Sequence, residues 1–119
     1  MAEGPRCWDV VRVDFPYADE PVSRPRPGLV IATPEATQAF GIAWVLMITS
    51  ARHVAWPHDV LITDLTATGL SHPSLVRTAK IATVDTRLLS IVGHLAGLDR
   101  REVTASVKRQ LGVLLEVKA

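Results

Sequence analysis

Arg26 stands at the start of one apolar stretch, RPGLVI, while Thr49 and Ser50 close another, IAWVLMITS. An arginine and a hydroxyl brought together at strand ends can bind and break a phosphodiester. The guanidinium stays charged and grips phosphate through paired N–H bonds, and the hydroxyl can hydrogen-bond a phosphoryl or neighbouring oxygen. Ser50 offers the same chemistry as Thr49 from the opposite strand face. His53 follows closely and is the nearest candidate for general acid or base, because histidine is the side chain that titrates around neutral pH. Arg24 lies in the proline-rich loop before Arg26, where it is either a contact for flanking phosphates or a solvated charge. His58, His72 and His94 have no spacing that marks a metal site and are read as structural or surface residues.

These residues need elements to position them. Residues 8–15 alternate valines and aromatics with polar positions, the pattern of a strand with a buried face. Residues 16–27 contain four prolines, PYADEPVSRPRP, and are read as a loop, since proline is excluded from central strands. A loop of that length in a small domain is often functional. Residues 28–32 and 42–48 read as buried strands, and 51–57 as a second polar loop. A further strand is expected over 58–64. Over 74–84 the stretches SLVRT and KIATV form one bent strand or a strand with a bulge. Residues 87–95 read as a turn of helix followed by a short strand. From Asp99 a helix is expected, with Asp99 as cap, Glu102 three residues later, and Val103, Val107, Leu111, Leu114 and Leu115 at helical spacing. Arg100, Arg101, Lys108 and Arg109 fall on its other side. Short strands with one C-terminal amphipathic helix predict a mainly β (α+β) fold, a small curled sheet of five to seven mostly antiparallel strands.

The chain has 119 residues, enough for one domain with a real core over 1–119. Its net charge of +1 does not suit a polyanion binder that relies on bulk electrostatics. The charge is unevenly spread, however: residues 21–58 carry Arg24, Arg26 and Arg52 against a single acid, Glu35. One cysteine, Cys7, leaves no internal disulfide to form and no zinc motif. With neither a secretory signal nor a membrane-length apolar run in view, a cytoplasmic protein without a membrane partner is expected.

In order along the chain, WDVVRVDFPYAD, RPGLVI, VLMITS and HDVLITDLTATGLSHPSLVRTAKIATVD resemble the MazF/PemK family of toxins from type II toxin–antitoxin systems. The resemblance runs from about Cys7 to Leu115 and rests on the order and spacing of the pieces. It implies an SH3-like barrel with added helices, a homodimer, and an endoribonuclease that cuts single-stranded RNA at short sequences without a metal or cofactor. It also implies a cognate antitoxin whose disordered segment folds into the RNA groove. On this resemblance Arg26 and Thr49 are the catalytic residues, with Thr49 matching the functional hydroxyl, and Arg77 matches a second arginine, which either faces the groove as a catalytic or RNA contact or turns away from it. The chemistry implied is attack of the 2′-hydroxyl on the adjacent phosphorus, giving a 2′,3′-cyclic phosphate and a 5′-hydroxyl. Some members place an aspartate two residues after that second arginine, where this chain has Ala79. The alternative reading is therefore a non-catalytic barrel that binds RNA or a protein partner. Trp56 reads as a plug over the barrel end or a base-stacking residue, and Trp8 and Trp44 as core or interface residues.

Overall fold

A computed structural model describes residues 4–15, 24–35 and 41–116, with the backbone alone for Asp14, Phe15 and Arg24. Residues 16–23 of the proline-rich loop lie outside the described residues, as do 36–40, where the sequence reads as a linker or single helical turn over 35–40. Six strands form one antiparallel sheet: β1 (Asp9–Phe15), β2 (Arg24–Ala32), β3 (Ile42–Ser50), β4 (Val60–Leu61), β5 (Ser74–Asp85) and β6 (Leu89–His94), in the spatial order β4-β5-β3-β2-β1-β6. Between them lie a helical turn, α1 (Leu65–Thr68), and a 3-10 turn over Thr86–Leu88, and the C-terminal helices α2 (Gly97–Gln110) and α3 (Gly112–Leu115) follow. The mainly β architecture with a C-terminal helix is as expected. The ladder does not close into a full barrel, and β4 and β6 are its edges.

The valine-rich strands are buried on both faces because the sheet has a core on each side. One core holds Val10, Leu29, Leu46, Ile48, Val60, Ile62, Val76, Leu95 and Val103. The other holds Val11, Val13, Val30, Ala43, Val45 and Val84. Their alternation along β1, β2 and β3 follows the two-residue period of a strand. The helical turn α1 packs on the edge strand β6. A Cβ on Gly93 would sit 2.4 Å from the Thr68 backbone, so the helical turn and the edge strand approach at a distance only glycine allows.

Four expectations are corrected. Pro25 and Pro27 lie within β2, not in a loop, opposite Asp14 and Arg12 of β1. They are tolerated because the β2–β3 ladder begins only at Gly28, which leaves this end of β2 paired on one side. The strand expected over 58–64 is confined to Val60–Leu61. Beyond Ile62, the backbone N–H groups of Thr63 and Asp64 donate instead to the Asp99 carboxylate, at 3.0 and 3.1 Å. Asp99 does not cap its own helix, whose N-cap is Ala96. It is buried and also accepts from the Thr63 hydroxyl at 2.7 Å, tying α2 to the 63–64 turn. The apolar stripe of the C-terminal helix is buried only at its start: Val103 is buried and Val107 packs on the core, whereas Leu111, Leu114 and Leu115 are exposed.

The bent or bulged strand expected over 74–84 matches. β5 is one strand with a bulge, since Leu46 pairs with Ile81 but Met47 with Arg77. Thr78, within that bulge, meets the Ser106 hydroxyl at 2.7 Å and donates to the His58 carbonyl, while Ser106 donates to the same carbonyl at 2.6 Å. Gln110 adds a bond to the Thr78 hydroxyl. Extra residues in a bulge re-aim side chains, and here they seat α2.

Candidate active site

The β2–β3 register brings Arg26 and Thr49 together. Gly28 pairs with Met47, and continuing that register by two residues sets Arg26 across from Thr49, on the same face. Pro25 and Pro27 supply no N–H for a ladder at this end, so the two strands are not zipped at the level of Arg26 and Thr49. A cavity of about 350 Å³ opens there, lined by Arg26, Thr49, Ser50, His53, Arg12 and His72 among others. Its charge is one-sided. Two arginines line it, and no carboxylate does among the described residues. That favours an anion, and the apolar residues Ile48, Leu70, Pro25 and Pro27 line the cavity as well.

Two loops frame the opening. The β3–β5 ladder ends at the pair Ser50 and Ser74. Past it, the Ala51 N–H donates to the Pro73 carbonyl at 2.9 Å and the His53 N–H to the Ser50 carbonyl at 3.1 Å. Arg52 N–H donates to the Ser50 hydroxyl at 3.2 Å. His53 and His72 are both exposed at the mouth.

Arg77 is placed differently from the other candidates. It does not line this cavity. Val60 pairs with Val76, so one residue further along Asp59 lies across from Arg77. Arg77 Nη2 donates to Asp59 Oδ2 at 3.1 Å and to the Val54 carbonyl at 3.0 Å, and Nε lies 3.3 Å from Asp59 Oδ2. The indole of Trp56 stacks on the guanidinium, 4.1 Å from ring centroid to Cζ. Asp59 Oδ2 also accepts the Trp56 N–H at 2.8 Å. With side-chain exposures of 11% and 3%, the Arg77–Asp59 pair is a buried one. Its geometry clamps the 51–59 loop that carries His53, and it occupies Trp56 against Arg77.

Arg26, Thr49, Ser50 and His53 thus share one cavity. Arg24 pairs through its backbone with Phe15, and its side chain lies outside the described residues. Arg12, Ser71 and Ser74, not singled out from the sequence, also line the cavity, as does His72, which the sequence marks only as a structural or surface residue. A signal existed for Arg12, a charged residue in a strand whose neighbours Val11 and Val13 are buried. None existed for His72, which reaches the site only because β5 pairs with β3. No group of three or more potential metal ligands occurs among the described residues, and no helix among them is long and apolar enough to cross a membrane.

No curated protein matches the chain in sequence. Solved structures do match its fold. MazF from Deinococcus radiodurans superposes with a TM-score of 0.72 at 21% identity, over 93% of this chain and 99% of that one. An endoribonuclease from a mycobacterial species, in complex with its cognate antitoxin, gives 0.70 at 14% identity over 92% and 96%. The toxin MazF-mt6 of Mycobacterium tuberculosis gives 0.66 at 18% identity over 87% and 96%. At these identities the likeness establishes the fold. The family model matches the sequence itself over residues 6–115, nearly the whole chain, and by that match the protein belongs to the PemK-like, MazF-like toxins of type II toxin–antitoxin systems.

Proposed function

We propose that the protein is a metal-independent endoribonuclease toxin that cuts single-stranded RNA within the Arg26–Thr49 cavity. The observation that carries the reading is the convergence of Arg26, Thr49 and His53 on one cationic cavity, in a chain that belongs to this toxin family. Arg26 binds the scissile phosphate and stabilises the charge that builds on its oxygens. One such preorganised donor is worth about 2.7–4 kcal/mol in the transition state. Thr49 hydrogen-bonds the phosphate or the 2′-oxygen and orients it for in-line attack, and Ser50 and Arg24 are auxiliary contacts. His53 takes part in proton transfer. The 2′-oxygen attacks phosphorus and the 5′-oxygen leaves, giving a 2′,3′-cyclic phosphate and a 5′-hydroxyl end. A cavity of about 350 Å³ lies at the small end of ligand sites, so a single phosphate and its sugar fill it while neighbouring nucleotides lie outside. The protein acts in the cytoplasm as a homodimer and is held inactive by a cognate antitoxin, as the mycobacterial relative's complex with its own antitoxin suggests.

The test is incubation of purified protein with mixed-sequence single-stranded RNA in EDTA, followed by mapping of the ends. Cleavage with cyclic-phosphate ends is expected. Arg26→Ala is expected to lower the rate about 10²–10³-fold with its thermal midpoint unchanged. RNA left whole by the parent protein overturns the catalytic reading. Salt-dependent RNA binding without cutting would then favour a binding module, the reading to which Ala79 in the β5 bulge lends weight.

A further inference from the structure

Cleavage by the 2′-hydroxyl requires one group to take a proton and another to give one. The ionisable side chains among the described residues of the cavity are Arg12, Arg26, His53 and His72. Arginine holds its proton throughout the physiological range and cannot exchange it. Ala79 supplies nothing. Among the described residues the two histidines remain, and the fold roots both at the end of the β3–β5 ladder. Ser50 and Ser74 form the last pair of the β3–β5 ladder. His53 follows Ser50 by three residues and His72 precedes Ser74 by two. The His53 N–H is anchored to the Ser50 carbonyl at 3.1 Å. The His72 carbonyl is anchored by the Ser74 hydroxyl at 2.7 Å. The bond from Ala51 N–H to the Pro73 carbonyl, 2.9 Å, ties the two loops to each other. Arg77, through Val54 and Asp59, fixes the far side of the His53 loop.

We propose that His53 and His72 are the acid–base pair of this site, a proposal that rests on the RNA-cleavage reading. One neutral imidazole accepts the 2′-hydroxyl proton as the O2′–P bond forms. The other, protonated, donates to the 5′-oxygen as the P–O5′ bond breaks. No electrons are transferred to or from a cofactor, and the pair ends the step with its protonation exchanged and resets through water. The charged groups around the pair among the described residues are Arg12 from β1, Arg26 from β2 and Arg52 beside His53.

The experiment measures pH–rate profiles for the parent chain, His53→Ala, His72→Ala and, as a control on β6 outside the cavity, His94→Ala. Each runs on an ordinary RNA and on one whose scissile 5′-oxygen is replaced by sulfur, a leaving group that needs no proton. The parent is expected to show a bell-shaped profile. Both cavity variants are expected to lose about 10²–10⁴-fold on ordinary RNA, each losing one limb of the bell, while His94→Ala matches the parent. The sulfur substrate is expected to restore only the variant lacking the acid, and so to name it. Circular dichroism and thermal midpoints check that these exposed substitutions leave the fold intact. If the parent cuts RNA and either cavity variant matches it, the pair is overturned while the cleavage reading stands. Restoration of both variants or of neither also overturns it. If the parent cuts nothing, the cleavage reading fails first and takes the pair with it.

Discussion

Arg26 and Arg77 both project from sheet strands, yet the fold uses them in opposite ways. Arg77 is enclosed by protein: a carboxylate, a carbonyl and an indole face hold it. Arg26 lines an open cavity beside Thr49 and two histidines. The difference follows from where the registers set each arginine. Asp59 lies across from Arg77, so its charge is neutralised within the fold. Arg26 pairs with Val13 on β1 and lines the cavity with Thr49, Ser50 and His53. Whether an arginine is enclosed or lines a cavity depends on what the sheet brings around it, and the identity of the arginine alone does not reveal this.

The comparison can be broken by substitutions that separate stability from activity. Asp59→Ala should have the largest effect, because it leaves the Arg77 guanidinium buried without its carboxylate. A loss of about 3–5 kcal/mol is expected, read by urea unfolding. A loss below about 1 kcal/mol would place the pair with ordinary surface ion pairs and undo the contrast. Gly93→Ala comes next. Its Cβ would meet the Thr68 backbone at 2.4 Å, and a cost of about 1–3 kcal/mol is expected as a lower thermal midpoint. Were that midpoint unchanged, the close α1–β6 approach at Gly93 would not be a constraint on the fold. Thr49→Ala should reverse the pattern seen for Asp59: about a tenfold slower RNA cleavage, equivalent to about 1.4 kcal/mol in the barrier, with unfolding unaltered.

The smallest effect is expected at the exposed Arg87, whose Nη2 lies 2.7 Å from Asp85 Oδ2. Its hydrogen bonds hold the Asp85 carboxyl down at about 2. Arg87→Ala should move that carboxyl back up toward the usual range in an NMR titration and leave the thermal midpoint in place. A clear drop in stability would mean that this pair resembles the buried one more than its exposure suggests.

Much of the sheet was legible in the sequence because valine-rich alternation and apolar runs report burial directly. β1, β3, the bulged β5 and the turn before β6 are where the patterns indicate. The errors have a common cause. Proline at 25 and 27 signals a loop only if both sides of the strand are hydrogen-bonded, and here one side is open. Asp99 has the spacing of a cap, but its carboxylate is more strongly engaged by two backbone N–H groups and a hydroxyl from residues 63 and 64. Leu111, Leu114 and Leu115 have helical spacing, yet the cores end before they are reached.

By itself the sequence determined β1, β3, the bulged β5, the C-terminal helix, and the candidacy of Arg26, Thr49, Ser50 and His53, since local periodicity and residue chemistry are properties of short segments. Only the tertiary structure decided that Arg77 is clamped by Asp59, that Arg12 and His72 join the cavity, and that two histidines flank it. Those outcomes depend on strand register between segments distant in the chain, where a shift of one residue moves a side chain to the other face of the sheet.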